Sequence, residues 1–141
     1  MVQVINKHWL QLLVIVIIGA LLRFVWLDRI PSAIGGDELT YILEAKSIAV
    51  SGKDLTGTWN PLSVFFFKYP PDELQAELPY LINVPVVGMT QFSLFSARLT
   101  SSILSVLTLL GLYLLVRELF NTRVAVATGF IAAINPWGIY I

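Results

Sequence analysis

Apolar residues in this chain gather into long stretches. Trp9 to Leu27, Leu99 to Val116 and Val124 to Ile141 are each long enough to cross a hydrocarbon core, which takes roughly 20 mostly apolar residues per helix. Leu78 to Ala97 is uncharged and nearly as long, but Pro79, Asn83, Pro85, Thr90 and Gln91 interrupt it, so it either spans or lies at the interface. Asp28 to Glu77 mixes polar and apolar residues, carries most of the charges, and is punctuated by Pro31, Pro61, Pro70 and Pro71. The pattern predicts a helix over about 9–27, an extracytoplasmic loop over about 28–77, a candidate helix over 78–95, and helices over about 98–117 and 124–141. The implied fold class is all-α and polytopic, with short interfacial helices in the loop.

Inside the loop, Asp37 to Ser51 predicts one such helix. Gly35-Gly36 gives a flexible lead-in, Asp37 is the expected N-cap, and Gly52 lies just past the end. At 100° per residue, Asp37, Thr40, Glu44, Ser47 and Ser51 share a polar face, with Leu39, Ile42, Leu43, Ala49 and Val50 opposite. That amphipathic helix suits a membrane surface. Glu38 falls toward the apolar side, where a carboxylate must be paired, protonated or aimed into a cleft. Adjacent acids here either solvate and cap the helix or handle protons. A second pair, Asp72-Glu73, follows Pro70-Pro71 and reads as an ordinary helix start, with Glu77 on its next turn. Lys68, after Phe65-Phe66-Phe67, is either a snorkelling anchor or a partner for a lipid phosphate, and Arg98 has the same two readings.

Composition agrees with a membrane protein, since 57% of residues are hydrophobic and 13% charged. The net charge of zero argues against a nucleic-acid binder, which needs a basic surface to displace counterions. With no Cys there are no disulfides or thiolate metal sites, and with a single His no histidine pair can hold a metal. No Walker loop or G-x-S-x-G elbow occurs. No cofactor is demanded, and a divalent cation is left open.

The leader Met1 to His8, with Lys7, places the N-terminus in the cytoplasm by the positive-inside tendency. The first apolar stretch lacks a convincing small-residue cleavage site and reads as a retained anchor. Trp9 and Trp26 mark its two boundaries, and Arg23 near its outer end is expected to reach the interface on its long stem. Arg117 and Arg123 flank a short connection, cytoplasmic if the 78–95 segment stays outside and external if that segment crosses. The last apolar run reaches Ile141 without a polar close, so the chain reads as the N-terminal portion of a longer protein.

The order of short motifs carries a resemblance. Gly35-Gly36-Asp37-Glu38-Leu39-Thr40-Tyr41 follows the first helix, then come Gly52-Lys53-Asp54, Tyr69-Pro70-Pro71, Phe92 to Ser101 with Arg98, Arg117-Glu118-Leu119-Phe120 and Ile134-Asn135-Pro136-Trp137. Together they resemble the N-terminal part of a GT-C glycosyltransferase, and more closely the dolichyl-phosphate-mannose protein mannosyltransferases and their bacterial relatives, including the lipid A aminoarabinose transferases. The resemblance implies a multispanning enzyme of the cell membrane that moves a sugar from a polyprenyl-phosphate carrier to a protein, lipid or glycan acceptor on the extracytoplasmic side. It places Asp37 and Glu38 in the active site, with Asp37 as general base. Tyr41, Lys68 and Arg98 are then the substrate-binding candidates. The sequence departs from the family at Lys68, which Tyr69 separates from Pro70, and in the acids Asp72, Glu73 and Glu77 that follow Pro71. The rival reading is a transporter or scaffold subunit. A transporter would place its ionisable groups at mid-bilayer, whereas nearly all charges here lie outside the apolar runs.

Overall fold

The computed structural model describes residues 2–29, 35–57 and 77–136, and these are all-helical, with no strand among them. The helices are α1 (Val2–Phe24), α2 (Gly36–Ser51), α3 (Glu77–Met89), α4 (Leu94–Leu119) and α5 (Thr122–Ile134). Of the described helices, α4 is long and apolar enough to cross a membrane. The chain divides into two compact units, one of residues 1–31 and 101–141, the other of residues 32–100.

The first unit packs α1 against α5 and the greater part of α4 around Leu12, Ile15, Leu109, Tyr113, Val116, Ala125 and Ala133. Ala125, Gly129 and Ala133 recur every four residues and form the buried stripe of α5. Small residues at this spacing let backbones approach, the usual means by which helices associate where lipid removes the hydrophobic drive. A Cβ on Gly129 would lie 3.3 Å from Tyr113 and 3.4 Å from Ile15. Outward, α1 and α4 leave Leu10, Leu13, Ile17, Leu21, Leu107 and Leu115 exposed.

Helix ends differ from the sequence expectation. α1 starts at Val2 within the expected polar leader, and stops at Phe24, short of Leu27. Trp26 adopts the left-handed region at φ 63°, which turns the chain out of the helix. α5 begins at Thr122, ahead of the expected Val124, because Asn121 accepts the Val124 N–H at 3.1 Å and caps the helix there. It ends at Ile134 instead of running on to 141, because Asn135 is extended (φ −65°, ψ 119°) ahead of Pro136. A residue before proline is pushed out of the helical region, and proline brings no N–H.

The second unit packs α2 against α3 around Ile42, Ala45, Ile48, Tyr80, Val87 and Ala97. The segment 78–95 is divided: α3 closes at Met89, and α4 opens at Leu94. Ser93 makes that new start, since its Oγ accepts the Ser96 N–H at 3.2 Å while Ser96 Oγ accepts the Ser93 N–H at 3.0 Å. Each serine satisfies a helix-start donor of the other, as in a capping box. α4 therefore begins four residues before Arg98.

Candidate functional site

The acidic segment opens α2. Gly35, in extended conformation (φ −66°, ψ 152°), is the N-cap, so Asp37 is the second helical residue and not the cap expected from the sequence. Gly35 has no side chain to offer, and the first turn is held instead by the Leu39 N–H on Gly35 O at 3.0 Å and by the Thr40 hydroxyl on Gly36 O at 3.0 Å. Glu38 reaches back, its Oε2 accepting the Gly35 N–H at 3.4 Å. Acids at the second and third positions of a helix are favoured by the positive end of its dipole.

Glu38 Oε1 accepts the Arg98 Nε–H at 2.9 Å, joining α2 to the beginning of α4. The Arg98 side chain is nearly buried and that of Glu38 about two-thirds covered. The odd placement of Glu38 on the apolar side of its helix thus has its reason in a charge-assisted bond. Arg98 is buried against this carboxylate and is not an exposed anchor at a helix mouth. Tyr41 is half-buried and packs on the Ile42–Ala45–Ile48 cluster. Lys68 and the Asp72-Glu73 pair lie outside the described residues.

The packed face of α2 is turned from the expected one. Ile42, Ala45 and Ile48 are buried while Leu39, Leu43 and Val50 are exposed, because α3 covers the former set. Gly88 makes the approach close: a Cβ there would stand 2.8 Å from Ala49 Cβ. Lys46, which the sequence did not single out, donates through Nζ to Val87 O at 3.0 Å and Thr90 O at 3.2 Å. A cation on the last carbonyls of α3 completes that helix end. Its signal was faint, a lysine one helical turn past Ile42 on a mostly apolar flank. Glu44 and Ser47 hold the chain beyond Gly52, accepting Leu55 N–H at 2.9 Å and donating to Lys53 O at 2.9 Å respectively. Among the described residues no group of three His, Cys, Asp or Glu stands together as metal ligands.

This geometry places Glu38 in the first turn of a helix with a buried arginine beside it. Residues 78–141 match the model of the dolichyl-phosphate-mannose-protein mannosyltransferase family. The likeness drawn from motif order is thereby shown for the second part of the chain. The matched span takes in Arg98 and the whole of α4 and α5, while Asp37, Glu38, Tyr41 and Lys68 precede it. No curated protein and no solved structure matches the chain. The one helix among the described residues that is both long and apolar enough to cross a membrane, α4, lies inside the matched span.

Proposed function

We propose that the protein transfers a sugar from a polyprenyl-phosphate carrier to an acceptor on the extracytoplasmic side, with Asp37 as general base. The observation that carries this reading is the Glu38–Arg98 pair. It ties the acidic segment, which lies before the matched span, to an arginine within that span.

In the proposed step the acceptor hydroxyl oxygen bonds to the anomeric carbon as its proton passes to Asp37. The bond between that carbon and the carrier phosphate breaks, and the phosphate leaves as an anion with the bonding electrons. Arg98 offsets the charge growing on it, in surroundings where such an interaction is stronger than in water. Glu38 orients the guanidinium, and Lys68 is a second candidate for the phosphate. Tyr41 lines the acceptor side. A single displacement of this kind inverts the anomeric centre. Keeping donor and acceptor at one interface supplies orientation without further chemistry.

The same reading orients the membrane. Arg98 and Arg117 bracket the charge-free part of α4, which at 1.5 Å per residue is about 28 Å long, close to a hydrocarbon core of roughly 30 Å. With Arg98 at the outer face, the Arg117–Arg123 connection falls in the cytoplasm, in keeping with the positive-inside tendency. α3, of 13 residues, is about 20 Å long and does not cross by itself. α1, of 23 residues, is the second crossing in this reading, whereas α5 is as short as α3.

The test is turnover by the whole protein in lipid bilayers. Labelled polyprenyl-phosphate sugars should lose their sugar to an acceptor, while water-soluble nucleotide sugars should be inert. Consumption of nucleotide sugars alone would replace the lipid-linked donor by a soluble one, and inertness toward every sugar donor would move the reading to the transporter or scaffold class.

A further inference from the structure

Arg23 has a place in the fold that neither the acidic segment nor the family match explains. It is only 5% exposed. Its Nε donates to Ser105 Oγ at 2.6 Å, Nη1 to Gly19 O at 3.0 Å and to Ala133 O at 3.1 Å, and Nη2 to Ala132 O at 3.3 Å. One guanidinium therefore ties α1 to α4 and to the end of α5. No carboxylate pairs with it among the described residues.

Of the two acceptors on α5, the Ala132 carbonyl is open for a reason that the sequence contains. A helical carbonyl is normally satisfied by the N–H four residues on, which for Ala132 would be residue 136. That residue is Pro136, which has no N–H. The last carbonyls of a helix also carry its negative dipole end, so a cation placed there is doubly favoured. Close packing is what brings Arg23 within reach. A Cβ on Gly19, one turn before Arg23, would collide with Leu109, and Ala133 is itself fully buried.

We infer that Arg23 and Pro136 form one coupled device: the guanidinium replaces the N–H that proline removes, and so seals the end of α5 against α1 and α4 in an apolar interior. A planar group with several fixed donors is required, because a point-like ammonium cannot meet Ser105 and Ala132 together. The device does not depend on the proposed chemistry, and its test reads stability alone.

Unfolding of the whole protein in lipid nanodiscs should be compared for wild type, Arg23→Met, Pro136→Ala and the double variant. Arg23→Met should lower the melting temperature strongly in the wild-type background and less than half as much in the Pro136→Ala background, where the backbone donor is restored. Equal losses in both backgrounds would overturn the inference. If Arg23→Met yields no folded protein, adding Pro136→Ala must recover some, and failure to do so counts against coupling. As a second measurement, Arg23→Ala should be restabilised by millimolar guanidinium and not by equal sodium. Indifference to guanidinium would contradict a guanidinium-shaped seat.

Discussion

Breaking the Glu38–Arg98 pair from each side should give unequal losses. The Arg98 side chain is 9% exposed and that of Glu38 31%. Glu38→Ala removes the carboxylate from a nearly buried guanidinium, and removal of one partner of a buried pair costs about 3–5 kcal/mol. Water reaching the uncovered edge left by Glu38 reduces this to about 2–3 kcal/mol. Arg98→Met keeps the apolar stem in place and leaves a carboxylate that can hydrate, so its cost should be nearer to about 1 kcal/mol. Glu38→Gln keeps an oxygen for Arg98 Nε and loses only the charge assistance, about 1 kcal/mol. Reversible unfolding of the purified protein in mixed micelles, followed by tryptophan fluorescence, measures all of these. A double-mutant cycle of Glu38→Ala with Arg98→Met should return a coupling of about 1–2 kcal/mol. Additivity within about 0.5 kcal/mol, or a larger loss from Arg98→Met than from Glu38→Ala, would refute the reasoning.

Other contacts make sharp predictions in the same assay. Gly88→Ala places a methyl 2.8 Å from Ala49 Cβ and should destabilise by about 1–3 kcal/mol, a loss that Ala49→Gly partly reverses. Lys46→Met uncovers the carbonyls of Val87 and Thr90 and should cost about 1–2 kcal/mol, with Lys46→Arg recovering most of it. Gly52 ends α2 at φ 71° with open space around its Cβ position, so Gly52→Ala should cost about 1 kcal/mol from backbone conformation alone.

Some of this was readable from the residues and some was not, for physical reasons. The misfit of Glu38 on an apolar flank called for a partner, a proton or a cleft, and the structure supplies a partner in Arg98. Gly52 as the end of α2 was equally open to reading, because a left-handed residue there favours glycine. The partners of Arg23 were not readable because they are mostly backbone carbonyls, two of them on a helix more than 100 positions away, and carbonyls leave no mark in a sequence. The division of 78–95 rests on Ser93 and Ser96 capping each other, a weaker signature than the Ser/Thr with Glu/Gln of the usual box. Continuity of apolar residues concealed the end of α5, where Asn135-Pro136 outweighs hydrophobicity. Which face of α2 is buried depended on α3, since Gly88 lets that helix come close to Ala49.

The most direct test of the account compares wild type, Asp37→Asn and Arg98→Met of the whole protein in bilayers, following transfer of labelled sugar from polyprenyl phosphate to acceptor. Asp37→Asn should unfold like wild type yet lose nearly all turnover, and Arg98→Met should raise the donor concentration needed while lowering the maximal rate. Native turnover by Asp37→Asn would contradict the assignment of the acidic segment as the catalytic centre.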